Sequence, residues 1–207
     1  SELGSYLVPE NAEAGRKRIE NLLYSRKWDH QVLSEALWRR GDDRVAMGET
    51  AEEPLLAIWD ESVVEKPESL KLEGLGPVRS SKAVRLKRIK PGYFNPPGGR
   101  PIFVPGFHWL QVLVCGLRGP VTLAHLRFWS TRGEQASSKR EEERQVLHEA
   151  ADRWRAKVIH VWDRGFAGTP WLTLAYVAAV RFVLRWPKNY TLIDENGNHK
   201  KAWEIAR

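Results

Sequence analysis

Residues 158–163 have the sequence Val-Ile-His-Val-Trp-Asp, a short apolar run that ends in an aspartate. Residues 54–60 form a second run of this kind, Pro-Leu-Leu-Ala-Ile-Trp-Asp. Short apolar runs bounded by turn signals are typical of buried strands. An aspartate at the carboxyl end of a buried strand lies at the rim of the sheet, where open α/β folds place ligands. We therefore expect Asp60 and Asp163 to lie on neighbouring strand ends.

Two carboxylates at such an edge form a site of hard oxygen ligands, which suits Mg²⁺ or Mn²⁺. The sequence thus predicts Asp60 and Asp163 as metal ligands and catalytic residues. An aspartate after a strand also serves often as a helix N-cap or in an Asx-turn. For each aspartate taken alone, this structural interpretation stays open.

Composition excludes several classes of protein. The chain has 207 residues, of which 42% are hydrophobic, so it can bury the core of one domain with a short appendage. Its single cysteine, Cys115, excludes an internal disulfide and a cysteine-based zinc site. No apolar stretch reaches the length of a membrane span, and residues 1–5 do not begin a secretory signal. A cytoplasmic location is expected.

The positive charge is concentrated in one part of the chain. The net charge is +7 with a pI of about 9.6, and residues 74–133 contain no Asp or Glu. Such an asymmetry predicts contacts with DNA phosphates, the alternative being a solvated basic loop. Arg164 follows Asp163 directly, and either a phosphate contact or a structural salt bridge suits it. The predicted DNA-binding residues are Arg79, Lys82, Arg85, Lys87, Arg88, Lys90, Arg100 and Arg164.

The order of elements predicts a mixed sheet. Apolar residues recur at helical spacing over residues 16–40, and Gly41 is the predicted helix stop. A long basic loop over 61–105 follows the first strand. A hairpin and two strand–helix–strand crossovers complete the core. The predicted strands are 55–59, 107–117, 121–129, 158–162 and 181–186. The first of the two predicted helices between them covers residues 137–156, has Ser138 as N-cap and begins with solvated acidic residues at 141–143. The second helix has Thr169 as N-cap and extends to about Ala179.

Three segments follow from this order. Residues 1–50 form a helical N-terminal segment, and residues 51–189 form the α/β core that contains the basic loop. Residues 190–207 begin a further β region, in which Asn196-Gly197 predicts a hairpin turn.

The strand order and the two aspartates resemble the RNase H-like catalytic fold. The run that ends in Asp163, followed by Arg-Gly-Phe and by the later strand Arg-Phe-Val-Leu-Arg-Trp at 181–186, resembles the second-aspartate region of DDE transposases from bacterial insertion sequences. Asp60-Glu61-Ser62 with Lys66 resembles their first-aspartate region. The resemblance extends over residues 55–198. It implies an RNase H-like mixed β-sheet flanked by helices, with a short N-terminal helical segment.

The resemblance also implies a function. Enzymes of this family cut and join DNA strands at transposon ends, use two Mg²⁺ or Mn²⁺ ions, and act on double-stranded DNA as homodimers. A third carboxylate, a Glu on a helix after the fifth strand, completes their site. No such helix is present before Arg207, and Glu195 and Glu204 are weak substitutes. We therefore expect the chain to be a fragment or a truncated reading frame of a bacterial, nucleoid-associated transposase.

Two other functions fit the same residues. A chain with two of the three acids is also expected of a transposase remnant that binds DNA without cutting it. A self-contained RNase H-like nuclease is the other alternative, and it requires a third acid within these 207 residues. Among the six histidines of the chain, the scattered ones at 108, 125, 148 and 160 contain no His-x-x-x-His pair that would indicate zinc.

Overall fold

A computed structural model describes residues 2–25, 29–69, 72–80 and 102–205. It divides into two compact units, residues 1–36 and 37–207. The first unit contains α1 (Glu2–Leu7), α2 (Ala12–Tyr24) and the start of α3 (His30–Thr50). Asn11 caps α2, since its side-chain oxygen accepts a hydrogen bond from the amide of Ala14 at 3.0 Å.

The second unit is built on a six-stranded mixed sheet. Three long strands form an antiparallel meander, β1 (Leu56–Glu65), β3 (Phe103–Cys115) and β4 (Thr122–Trp129). The short strand β2 (Gly76–Arg79) pairs with the beginning of β3. Two parallel strands, β5 (Ile159–Trp162) and β6 (Arg181–Leu184), extend the sheet on the other side of β1.

Three helices pack against one face of this sheet: α3, α4 (Lys139–Trp154) and α5 (Thr169–Val177). Tryptophans fill the interface between the helices and the sheet. The ring of Trp171 of α5 contacts the rings of both Trp59 of β1 and Trp162 of β5. The strand order β4-β3-β1-β5-β6, antiparallel and then parallel, is that of an RNase H-like α/β fold. The predicted fold class is confirmed.

The predicted helix stop at Gly41 is wrong, since α3 continues to Thr50. The sequence Gly-Asp-Asp serves packing instead. A Cβ on Gly41 would lie 2.6 Å from Cβ of Ala124 in β4, so only glycine allows the helix to approach the sheet this closely. Asp42 accepts hydrogen bonds at 2.8 Å from the side chains of Arg153 and Trp154, which ties α3 to α4.

This packing gives an unusual expectation for Gly41→Ala. In a solvated helix the change stabilises by about 1 kcal/mol, because alanine has the higher helix propensity. Here the new methyl group overpacks the contact with Ala124, and we expect the free energy of unfolding to fall by about 1–3 kcal/mol. Urea unfolding measures it, with Met47→Ala on the exposed side of the same helix as the control. A more stable Gly41→Ala protein would restore the interpretation of residues 41–43 as a helix end.

Other boundaries also differ from the sequence prediction. Strand β1 runs to Glu65, so Asp60 lies within a strand and not at its end. Parts of the predicted basic loop belong to strands instead: residues 61–65 pair with 106–110, and residues 76–79 pair with 103–106. Helix α5 begins at Thr169 and has Gly168 as its N-cap, one residue earlier than predicted; Ser138 caps α4 as predicted.

A small hairpin follows the core. Strands β7 (Thr191–Ile193) and β8 (His199–Lys201) are antiparallel, and a one-turn helix, α6 (Ala202–Ile205), comes next. Gly197 has a φ of +79°, which confirms the predicted Asn-Gly turn. Of the helices in the described part of the chain, none has both the length and the apolar character needed to cross a membrane.

Candidate active site

Asp60 lies on β1 between two other strands of the sheet. Its neighbour across the antiparallel ladder is Gln111 of β3. The Gln111 side chain donates a hydrogen bond from Nε2 to Oδ2 of Asp60 at 3.2 Å. No described residue donates to Oδ1, and the carboxylate is exposed. Asp60 is therefore oriented by a neutral amide and keeps one oxygen for a ligand.

Asp163 directly follows β5 and begins a short 3-10 turn, Arg164–Phe166. Its Oδ1 accepts a hydrogen bond from the backbone amide of Gly165 at 2.7 Å. Asp163 therefore caps the turn that follows the strand, which is the structural role considered for it above. This role occupies one oxygen only, and no described residue donates to Oδ2. Asp163 is exposed, as Asp60 is.

The strand register brings the two residues together. Strands β1 and β5 are parallel neighbours, and the last pair in their register is Ile58 with Val161. Asp60 and Asp163 each lie two residues beyond that pair, so they lie at equivalent levels on these two neighbouring segments of the chain. Side chains alternate along a strand, and both aspartates follow buried tryptophans that face the helices. Both carboxylates therefore project from the face opposite the helices.

A third acid does not join them in the described residues. Those residues contain no group of three His, Cys, Asp or Glu side chains that could hold a metal ion. Glu195 lies in the exposed β7–β8 turn. Glu204 accepts a hydrogen bond from the amide of Lys201 at 2.7 Å and so acts at the start of α6. The roles of Asp60 and Asp163 stay predictions.

An ionic cluster missed by sequence reasoning lies on the helix-covered face. Glu61 of β1 pairs with Lys139 of α4, and Lys139 also lies 3.5 Å from the fully buried Glu143. Arg140 pairs with the other oxygen of Glu143 at 2.7 Å. Burial, and then the nearby Glu61, raise the pKa of Glu143 to about 7. The expected solvated helix start over 141–143 is therefore wrong for its last two residues, because Glu142, which pairs with Arg127, is buried as well.

This cluster has a consequence for the candidate site. It fastens the first turn of α4 to β1 at Glu61, the residue after Asp60. No spacing rule could predict it, because the two elements are far apart in sequence and three adjacent glutamates at a helix start are usually solvated. The cluster supports the position of the strand and does not contribute a ligand on the side of the aspartates.

The structure describes two of the predicted DNA-binding residues. Arg164 is exposed beside Asp163 and pairs with no described carboxylate. Arg79 is exposed at the end of β2. Arg127, from the same acid-free stretch, is instead held by Glu142 of α4 and serves packing. The remaining predicted residues, namely Lys82, Arg85, Lys87, Arg88, Lys90 and Arg100, lie outside the described part of the chain.

Comparison with known proteins adds little to this geometry. The chain matches no protein-family profile and no curated protein. Among solved structures it is similar to the crystal structure of a pre-cleavage Mos1 transpososome, with 11% identity and a TM-score of 0.29. The match covers 88% of this chain and 54% of that chain, so this chain spans about half the length of that protein. Similarity at this level carries no argument about function.

Proposed function

We propose that this chain carries two carboxylates of the active site of a metal-dependent enzyme that transfers phosphoryl groups of DNA, of the DDE transposase type. The observation that supports it is the register of β1 and β5, which sets Asp60 and Asp163 at one level on one face of an RNase H-like sheet. Asp163 lies at the carboxyl end of β5, where open α/β sheets bind ligands, and Asp60 lies beside it at the point where the parallel pairing of β1 with β5 ends.

The donor set fits a small divalent cation. Each aspartate offers one oxygen that receives no hydrogen bond from the described residues, and both side chains are exposed on the open face. Carboxylate oxygens are the ligands that Mg²⁺ and Mn²⁺ prefer. When bound, such an ion stabilises the negative charge that develops on the oxygens of the transferred phosphoryl group.

The neighbouring residues supply orientation and charge. Gln111 fixes the rotamer of Asp60, and the Gly165 amide fixes that of Asp163, so ion binding orders few additional torsions. Arg164 follows Asp163 in sequence and is exposed, so its guanidinium is available to hold a DNA phosphate by two parallel hydrogen bonds. Two ions, a DNA duplex with transposon ends and a second copy of the protein complete the proposed assembly.

Metal binding tests this proposal without any need for catalysis. Mn²⁺ binding to the chain, followed by electron paramagnetic resonance, should weaken about 10-fold or more in Asp60→Asn and in Asp163→Asn, because each removes a ligand. The matched control is Asp152→Asn, since Asp152 is an exposed aspartate on α4. Equal Mn²⁺ affinity in the three variants would refute the metal site.

DNA binding is expected to depend on the basic stretch. The triple variant Arg85→Gln, Lys87→Gln, Arg88→Gln should reduce the slope of log K against log salt concentration for duplex DNA by about 2.7, because each lost phosphate contact removes about 0.9. Fluorescence anisotropy at several salt concentrations measures the slope. A control triple variant changes exposed basic residues on the helical side, Arg144, Arg155 and Lys157. An unchanged slope in the first triple variant would assign residues 85–88 to a solvated loop, and an equal fall in both variants would mean that the effect of charge is not specific to this stretch.

A further inference from the structure

The open face of the sheet carries an aromatic surface close to the aspartates. Trp109 of β3 and Phe128 of β4 are cross-strand neighbours, with ring centroids 6.5 Å apart and planes inclined by 25°. Trp109 lies two residues before Gln111 on the same strand, so its side chain shares the face of Asp60. Phe128, near the end of the edge strand β4, is 55% exposed, so its ring presents a large apolar surface to the solvent.

A cavity of about 320 Å³ lies at the end of this surface. Phe107 and Phe128 form its apolar floor, and the segment after β4 forms one wall. Arg132 and Gln135 bring hydrogen-bond donors to the cavity, and Glu73 and Glu134 bring acceptors. A flat apolar floor with a few polar groups at the rim is typical of a site for a small, planar, polar molecule.

The position relative to the candidate site favours DNA as the source of that molecule. Phe107 precedes Gln111 by four residues on β3, which corresponds to about 13 Å along the strand. In one strand of B-form DNA this distance corresponds to about four base steps. A DNA strand with a phosphate at Asp60 and Asp163 therefore has bases within reach of the cavity.

We propose that this cavity binds an unpaired nucleobase of the DNA strand whose phosphate lies at Asp60 and Asp163. This inference rests on the proposed function, because it takes DNA as the substrate. Stacking on aromatic rings is how proteins hold bases outside a duplex. The two glutamates at the rim disfavour a phosphate there and accept hydrogen bonds from the amino group of a base, while Arg132 and Gln135 donate to its ring nitrogens and carbonyls.

The test uses the full chain and a short single-stranded oligonucleotide that contains one 2-aminopurine, a base whose fluorescence falls when it stacks. Binding should quench the fluorophore in the wild-type protein. In Phe128→Ala the quenching should be lost, and the affinity should fall about 5-fold to 100-fold, the range measured for single stacked bases. Phe128→Tyr keeps a ring and should retain both signals. Tyr176→Ala removes an exposed ring from the helical side and is the matched control.

The outcomes separate this inference from the proposed function. If the wild-type protein binds the oligonucleotide but Phe128→Ala binds it equally well with the same quenching, the nucleobase site is wrong and the proposed function stands. If the wild-type protein binds no DNA, both fail. Phe128→Leu keeps an apolar side chain but has no aromatic ring, so it controls for misfolding of Phe128→Ala. Loss of quenching in Phe128→Leu, with an unchanged thermal unfolding temperature, supports stacking. Conversion of a dimer to a monomer in Phe128→Ala, without loss of quenching, would assign the surface to self-association.

Discussion

Asp60→Asn and Asp163→Asn should each lower Mg²⁺-dependent DNA cleavage by about 1,000-fold or more in the natural protein that contains these residues. In the proposed site a metal ion would contribute several kcal/mol of transition-state stabilisation, and each aspartate would supply one of its ligands. The amide of asparagine keeps the shape and the hydrogen bonds from Gln111 or Gly165, but it lacks the negative charge that holds the cation. Gel analysis of a labelled duplex measures the rate.

Duplex affinity should change much less than cleavage, because phosphate contacts determine affinity and the metal acts on the reaction. Asp152→Asn on α4 again serves as the control for the removal of an exposed carboxylate. A cleavage rate that falls less than about 10-fold in both variants would contradict the assignment. Equal losses of affinity and cleavage would indicate that the aspartates only shape the DNA-binding surface.

The fold class could be predicted because two apolar runs and a hairpin are local features that are bounded by turn signals in the sequence. The strand that ends before Asp163 and the Ser138 cap of α4 need no information beyond their neighbours in sequence, and both are confirmed. The matched level of Asp60 and Asp163 follows from the parallel pairing of β1 with β5, which the order of elements already implies. The metal-binding role of these residues stays a prediction.

The rest depends on contacts between distant segments. Gly41 ends a helix by sequence rules, but close approach to Ala124 overrides the rule. Glu143 resembles a solvated residue until packing of α4 on β1 buries it beside Lys139. Gln111 has no chemical signature of its own, and only the pairing of β1 with β3 shows that it orients Asp60.

The helix-covered core contains a second feature with a large expected effect, a pair of buried histidines. His125 stacks on Trp38 with ring centroids 4.4 Å apart, and neither of its ring nitrogens has a hydrogen-bond partner. His160 accepts a hydrogen bond from Nε1 of Trp59 at Nδ1, 3.0 Å away, so that nitrogen carries no proton. Protonation would break this bond and place a charge among indole rings. Burial lowers the pKa of both histidines to about 4.

The folded protein should therefore lose stability in mild acid. In the unfolded chain each histidine has its ordinary pKa of about 6.5, so below that pH the unfolded state binds more protons and is favoured. The contribution of each neutral, buried histidine to the free energy of unfolding is complete above pH 6.5. It decreases by about 3 kcal/mol for each histidine as the pH falls toward 4. Glu143, whose pKa is raised to about 7, acts in the opposite direction between pH 4.5 and 7. Its single raised pKa offsets only part of the effect of the two lowered histidine pKa values.

Urea unfolding of His125→Phe at a series of pH values between 7 and 4 measures this effect. Phenylalanine keeps the stacking on Trp38 and cannot be protonated, so the loss of unfolding free energy over this range should be about 3 kcal/mol smaller than in the wild-type protein. His148→Phe, at an exposed position of α4, is the control and should leave the acid dependence unchanged. An equal acid dependence in His125→Phe and the wild-type protein would mean that His125 is hydrated in solution.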